Sequence, residues 1–171
     1  MNNPLPFCPA CGRRQFGRRC EKSWQCGACG FLLYLNPGAA VAAIIKYQRD
    51  ILFAVRAHDP QAGKLDLPGG FVDNHETAEQ ALQRELVEEL GLQDVAAQYM
   101  ASFPNTYPYA GVDYQTVDLI YVVELSERPD LQAADDVVAI RWVAIDAIPF
   151  EEIAFDSIRN ALRYYTTSDF H

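Results

Sequence analysis

The sequence is poor in several features that would indicate particular classes of protein. Histidine occurs only three times in 171 residues, and no Ser/His/Asp or Cys/His arrangement is evident. No apolar run approaches the roughly 20 residues that a membrane-spanning helix needs, and no basic-then-apolar signal peptide opens the chain. We therefore expect a cytoplasmic protein with no membrane partner, and chemistry in which water, rather than a side chain, is the nucleophile.

Basic residues are also scarce beyond residue 36. The net charge is −9, and the first 36 residues carry +4, so the remaining chain carries −13. The charged residues of the first segment are Arg13, Arg14, Arg18, Arg19, Lys22 and Glu21. So acidic a main segment suits cation binding and makes nucleic acid an unlikely partner there.

All five cysteines lie within the first 29 residues. Two Cys-x-x-Cys pairs, Cys8 with Cys11 and Cys26 with Cys29, are separated by fourteen residues. Two such pairs can complete a tetrahedral Zn²⁺ site, which indicates a zinc ribbon. A redox pair or a disulfide framework is the alternative, and the lack of a secretion signal disfavours it. Cys20 has no paired cysteine and is interpreted as a spare thiol.

The predicted ribbon could bind nucleic acid, hold a partner or only stabilise its own fold. Its four arginines and Trp24 allow the first role, but exposed cations are usually solvated and one aromatic ring is a thin stacking platform. We favour a structural module, because so short a segment cannot fold without its metal. Leu35 to Gly38 interrupts the pattern, so we predict a ribbon over residues 1–36 and a second domain over 37–171.

The segment from Gly70 to Leu92 contains the strongest helix signal. Thr77 and Gln80 form a capping box, and leucines recur at helical spacing until Gly91, a left-handed stop. This predicts a helix from near Ala78 to Leu90.

Three acids, Glu85, Glu88 and Glu89, share one face of this helix. Like charges at these spacings cost roughly 0.2–0.5 kcal/mol per pair, and the helix dipole disfavours anions in the last turn. Arg84 can reach Glu88 and offsets only part of this cost. A solvated acidic face is the simple alternative. Their position at the unfavourable helix end, beside the Gly69–Gly70 turn, favours a site for Mg²⁺ or Mn²⁺.

These residues resemble the Nudix box, which reads Gly, five residues, Glu, seven residues, and Arg-Glu-apolar-x-Glu-Glu-x-Gly-apolar. All nine positions match: Gly70, Glu76, Arg84, Glu85, Leu86, Glu88, Glu89, Gly91 and Leu92. The resemblance implies an α/β fold, the Nudix α/β/α sandwich with a mixed sheet.

The resemblance also implies roles for individual residues. Glu85 and Glu89 would be the first metal ligands, and Glu88 a ligand or a group that orients water. Arg84 and Glu76 would hold these glutamates in position without binding the metal themselves. Further oxygen ligands would come from the Gly69 carbonyl and from an acid before the last strand, for which Asp136 matches best and Asp135 is its neighbour.

The remaining pattern predicts strands alternating with two helices. We predict strands over 38–46, 51–56, 95–103, 114–125 and 137–145, and an amphipathic helix over 155–165. Residues 58–64, 102–111 and 127–136 are predicted to be loops.

A zinc ribbon followed by a Nudix box resembles the NADH pyrophosphatases. Their additional marker, Ser-Gln-Pro-Trp-Pro-Phe-Pro-x-Ser, corresponds to residues 102–110 here, where Gln, Trp and the second Pro have become Phe103, Asn105 and Thr106. The departure weakens any inference of dinucleotide specificity. We expect this segment, with Gly70, to border the substrate, and Phe103, Tyr107 and Tyr109 to stack on a base; packing in the core is the alternative for each ring.

The sequence therefore predicts a Mg²⁺- or Mn²⁺-dependent hydrolase of a nucleoside diphosphate linked to another moiety, such as NADH, ADP-ribose or FAD. The alternative is a non-catalytic, ligand-sensing regulator with a nucleic-acid-binding ribbon, which the intact set of glutamates disfavours. A homodimer is compatible with the sequence, which leaves the oligomeric state open.

Overall fold

A computed structural model of the chain describes residues 5–131, 133–134 and 136–168. Its first unit is a small antiparallel sheet of three strands, in the order β1-β2-β3. These strands are β1 (Phe16–Cys20), β2 (Ser23–Cys26) and β3 (Leu32–Tyr34). Phe16 and Trp24 are buried between them, and with two cysteines they form a core of their own.

A second, seven-stranded sheet follows. Its strands are β4 (Gly38–Tyr47), β5 (Asp50–Arg56), β6 (Leu65–Asp66), β7 (Gly69–Phe71), β8 (Ala97–Tyr109), β9 (Val112–Glu124) and β10 (Val137–Ala144). The main path runs β10-β5-β4-β9-β8, while β6 pairs with β5 and β7 with β4. The sheet is mixed because β4 and β9 are parallel and the other pairs are antiparallel.

Two helices, α1 (Ala78–Leu90) and α2 (Asp156–Thr167), cover the opposite faces of this sheet. The continuous apolar run of β4 explains the arrangement, since successive side chains of a strand point to opposite faces. Ile44 packs in the core that contains α2, whereas Ala43 and Ile45 pack in the core that contains α1. The predicted α/β/α sandwich with a mixed sheet is confirmed.

Helix α1 begins and ends where its local signals predict. The Thr77 hydroxyl accepts a hydrogen bond from the Gln80 backbone N–H, and the Gln80 side chain accepts one from the Thr77 N–H. Gly91 adopts a left-handed conformation with φ of 69° and donates to the Val87 carbonyl. These caps fix the position of the acidic residues along the helix axis.

The prediction of a loop over residues 102–111 is wrong. Strand β8 continues to Tyr109, and a tight turn at Ala110 and Gly111, both with positive φ, returns the chain as β9. Pro104 and Pro108 cannot donate a ladder hydrogen bond, but β8 is an edge strand, where proline is tolerated. The predicted start of this strand at residue 95 also moves, to Ala97.

The other predicted strands and helices are confirmed, with ends that shift by no more than two residues. The predicted turn at Gly69 and Gly70 is instead the start of strand β7, which pairs with β4. Within the described ranges, no helix is long and apolar enough to cross a membrane.

Candidate functional site

The start of strand β7, at Gly69, meets the last turn of α1 through Glu89. The Gly69 backbone N–H donates to the Glu89 carboxylate at 3.0 Å, and Glu89 is only 7% exposed. Gly69 adopts a φ of 145°, and a Cβ at this position would overlap the Val41 carbonyl and the Ala42 backbone. Glycine is required here because this end of β7 lies directly against β4.

Arg84 joins the other acidic residues of the site. It binds Glu76 through two parallel hydrogen bonds of 2.9 and 3.0 Å, and it donates to Glu85 at 2.8 Å and to Glu88 at 3.0 Å. It also donates to the Phe71 carbonyl at 3.0 Å, which ties α1 to β7. The carboxylates of Glu76 and Glu85 raise the pKa of Arg84, so the guanidinium stays charged.

The three glutamates of α1 differ in their surroundings. Glu88 is half exposed, and Glu85 lies against Arg84. Burial raises the pKa of Glu89 to about 8, and the charges of Glu85, Asp66 and Asp136 add to this effect. The carboxylates of Glu85, Glu89, Asp66 and Asp136 therefore lie close together, and burial disfavours the ionised form of Glu89. A bound cation would offset this electrostatic cost.

A cavity of about 320 Å³ opens at this convergence. Its walls carry most of the residues that the sequence predicted for the site: Gly69, Gly70, Arg84, Glu85, Glu88, Glu89, Tyr107 and Asp136. Glu76 lies behind Arg84, and Asp136 is 3.8 Å from His58, measured between Oδ1 and Nε2. Asp135, the alternative to Asp136, lies outside the described residues.

The residues of β8 that were predicted to border the substrate lie in different surroundings. Asn105 and Tyr107 line a cavity next to the carboxylates, and the Tyr107 ring lies 5.5 Å from Phe71 and 5.6 Å from Phe155. Phe103 instead packs against Tyr164 and the α2 core. Tyr109 is largely exposed and stacks on Tyr107. The structure thus brings Asn105 and Tyr107 to the cavities, and the partly buried rings of Phe103 and Tyr107 both pack against the core that contains α2.

Three polar residues of these cavities were not predicted from the sequence. Arg56 donates to Asp66 at 2.9 Å and lies over the Phe155 ring, and Asp118 is buried beside them. Burial raises the pKa of Asp66 to about 6. A usable signal was present, since Asp66 lies between two leucines and Asp118 within an apolar strand, and buried carboxylates are rare without a role.

The four predicted cysteines form a separate cluster in the N-terminal sheet. Their sulfur atoms all lie within 4.8 Å of one another. The Cys8–Cys29 and Cys11–Cys26 sulfurs are 3.8 and 3.7 Å apart, too far for a disulfide bond. Tetrahedral Zn²⁺ with bonds of about 2.3 Å places its sulfur ligands about 3.8 Å apart, so the donor set fits zinc.

Both cysteine pairs sit on the same type of turn. Gly12 donates to the Cys8 carbonyl and Gly30 to the Cys26 carbonyl, each with a positive φ. Backbone N–H groups of Cys29 and Ala28 lower the pKa of Cys26, which favours its thiolate, whereas the neighbouring thiols of Cys11, Cys26 and Cys8 raise the pKa of Cys29. Cys20 lies apart from the four and contacts the Ser23 hydroxyl at 2.9 Å.

Comparison with known proteins places this geometry in a family. The NUDIX domain model matches residues 36–164. The NAD-capped RNA hydrolase NudC of Vibrio vulnificus is 28% identical over 87% of this chain, and the match spans 54% of that protein. The ADP-ribose pyrophosphatase of Methanocaldococcus jannaschii is 32% identical over 74% of this chain and 72% of that protein.

A solved structure agrees over almost the whole chain. The NUDIX hydrolase from Nitrosomonas europaea superposes with a TM-score of 0.69 at 25% identity, covering 98% of this chain and 93% of that one. The family model covers well over half of the sequence, and the box residues surround a cavity on the expected fold. The chain therefore belongs to the Nudix family of hydrolases.

Proposed function

We propose that this protein is a divalent-cation-dependent pyrophosphohydrolase that cleaves a nucleoside diphosphate linked to another moiety. The proposal depends on one observation: Glu85, Glu88 and Glu89 line a cavity of about 320 Å³ together with Gly69 and Gly70 of strand β7. The products would be a nucleoside monophosphate and a phosphorylated remainder.

The donor set fits Mg²⁺ or Mn²⁺. Glu85, Glu88, Glu89 and Asp136 offer carboxylate oxygens and Gly69 offers its carbonyl, and oxygen-only donors are the ligands that these hard cations prefer. The raised pKa of Glu89 supports the same assignment, because burial and the neighbouring carboxylates disfavour its ionised form and a cation would offset that cost. When bound, the cation would supply positive charge to the diphosphate and to the leaving oxygen.

The protein's own groups would position these parts. Arg84 holds Glu85 and Glu88 in place, and Glu76 fixes Arg84 from the opposite side. One of the glutamates would take the proton from the attacking water, and which of them does so is left open. Gly70 leaves room for the Glu85 carboxylate, because a Cβ at this position would overlap Glu85 Oε1.

The substrates that we propose are NADH, ADP-ribose and FAD. Each joins a nucleoside diphosphate to a second group, and curated relatives carry names that point to NAD-ended RNA and to ADP-ribose. This chain spans only about half of the length of the NudC relative, so the activity of that whole protein is not assigned to this chain. Tyr107, Tyr109 and Asn105 would contact the base, whereas the packing of Phe103 favours a structural role for that ring.

We further propose that Cys8, Cys11, Cys26 and Cys29 hold one Zn²⁺ that stabilises the N-terminal sheet, as the ribbon of residues 1–36 before a catalytic domain over 37–171. The regulator hypothesis predicts salt-sensitive nucleic-acid binding by Arg13, Arg14, Arg18 and Arg19 and no turnover.

A substrate panel tests the proposal. NADH, ADP-ribose and FAD are incubated with the protein in Mg²⁺, in Mn²⁺ and in EDTA, and the phosphate-ended products are separated by chromatography. We expect nucleoside monophosphate from at least one substrate, and only with a cation present. No product from any of them, together with binding of a nucleic acid that weakens steeply with salt, would favour the regulator instead.

A further inference from the structure

Strand β9 contains a buried carboxylate that the cation site does not use. Asp118 is 7% exposed, and each of its oxygens accepts one hydroxyl, from Thr116 and from Ser157, both at 2.6 Å. Both hydroxyl residues are also buried. Ser157 lies in the first turn of α2, where the helix dipole favours a nearby negative charge.

Asp118 retains the capacity to accept more hydrogen bonds. A carboxylate has about four acceptor positions, and the two hydroxyls occupy two of them. Among the described residues, no lysine or arginine forms an ion pair with Asp118, and the neighbouring Arg56 pairs with Asp66 at 2.9 Å. A buried carboxylate is stabilised by each further hydrogen bond that it accepts, so Asp118 can bind an additional donor favourably.

The carboxylate faces a small cavity that adjoins the cation site. Asp118 lines a space of about 80 Å³ together with Asn105, Tyr107 and Phe155. Gly69, Gly70, Phe71 and Tyr107 border both this space and the cavity of the three glutamates. A substrate whose diphosphate lay beside Gly69 and Gly70 could therefore place an attached group beside Asp118.

We propose that Asp118 is a specificity-determining residue that accepts a hydrogen bond from a planar amino group of the substrate. The proposal rests on the proposed function and narrows its substrate class. A carboxylate selects N–H donors and repels a carbonyl oxygen at the same place. In the candidate substrates such a donor is either the exocyclic amino group of adenine or the carboxamide of nicotinamide.

A purely structural role is the alternative, in which Asp118 only ties α2 to the sheet through Ser157. The two roles differ in what they predict. Loss of a structural tie weakens binding of all ligands alike, whereas loss of a recognising carboxylate changes the preference between a ligand with the amino group and its match without it.

The experiment compares two ligand pairs on wild type and three variants. The first pair is ADP-ribose and its hypoxanthine analogue, and the second is NAD⁺ and its 3-acetylpyridine analogue, which lacks the amide N–H. The variants are Asp118→Asn, Ser157→Ala and the exposed control Asp113→Asn on the same strand. Dissociation constants are measured by calorimetry in EDTA, and turnover is measured in Mg²⁺.

We expect wild type to prefer the amino-bearing member of one pair by about tenfold to 100-fold, the value of a hydrogen bond to a charged group. Asp118→Asn should abolish or reverse this preference, because an amide can also donate. Ser157→Ala, which keeps the carboxylate, and Asp113→Asn should retain it. The pair that responds identifies adenine or nicotinamide as the source of the amino group.

Equal affinity of wild type for both members of both pairs overturns the proposal, even if Asp118→Asn does not fold. A preference for the amino-bearing ligand that persists in Asp118→Asn also overturns the proposal. Asp118-dependent binding without turnover would sustain the inference and refute the proposed hydrolysis, and turnover without that preference would do the reverse. Failure to bind any of the four ligands in EDTA, together with no turnover of any of them in Mg²⁺, would refute both.

Discussion

Arg84 is the single residue on which the arrangement of the acidic side chains depends most. One guanidinium contacts three carboxylates and a backbone carbonyl, and its planar fork matches Glu76 with two parallel hydrogen bonds. A lysine would keep the charge and lose this geometry.

We predict that Arg84→Lys lowers turnover at least tenfold and lowers the free energy of unfolding by about 1–3 kcal/mol, the range for a hydrogen bond to a charged group. Steady-state kinetics and urea denaturation measure the two effects. Arg49→Lys, at an exposed pair with Asp146, is the matched control and should change neither by much. Normal turnover of the Arg84 variant would show that this network does not hold the site.

At the same scale, the sequence predicted which residues assemble but not how their environments differ. Glu85, Glu88 and Glu89 are equivalent in the motif, yet Glu89 is buried and Glu88 is half exposed. Glu89 lies three residues after Leu86 on the helix, so its inward position could have been inferred from the leucine stripe. Burial is the largest cause of its raised pKa, whereas the added effect of Asp66 and Asp136 could not be inferred, because these residues come from other segments of the chain.

Among the elements, α1 could be predicted to the residue because both of its ends are set by local signals. The capping box and the glycine stop act within four residues of each helix end, so no tertiary contact is needed to locate them. The hairpin of β8 and β9 was misjudged for the opposite reason. Pro104 and Pro108 favour a loop when only the local sequence is considered. The order of the strands shows that β8 is an edge strand, where proline is tolerated.

Loss of the cap should weaken the whole domain through α1. We predict that Thr77→Ala lowers the free energy of unfolding by about 0.5–2 kcal/mol, because the Gln80 N–H loses its acceptor. Thr77→Ser keeps the hydroxyl and should stay close to wild type. Denaturant midpoints compare the three proteins, and equal midpoints for Ala and Ser would mean that the cap contributes nothing.

At the scale of the whole molecule, the sheet brings together residues that no local pattern could pair. Asp66, Asp118 and Asp136 belong to three different segments, and they border adjoining cavities because β6, β9 and the start of β10 meet around β4 and β5. The family motif predicted the helix side of the site, and the remaining walls required the fold.

The N-terminal sheet has a small core of four buried residues, so its stability should depend on metal. We predict one Zn²⁺ per chain in freshly purified protein, measured by elemental analysis. Cys26→Ser should lose it, while Cys20→Ser should retain it, since Cys20 lies apart from the four-sulfur cluster. Protein without zinc, or equal zinc in both variants, would contradict the assignment.

The most direct test of the cation-dependent site is the turnover of Glu89→Gln on the best substrate in Mg²⁺, with unfolding followed in EDTA. Gln keeps the size of the side chain and can still accept the Gly69 N–H, but it cannot ionise to the carboxylate that a cation would bind. We predict turnover reduced at least 100-fold, a stability in EDTA equal to wild type or a few tenths of a kcal/mol higher, and a smaller rise in Tm on adding Mg²⁺. The exposed control Glu124→Gln should match wild type in turnover. Normal turnover of Glu89→Gln, or wild-type turnover that persists in EDTA, would contradict the account.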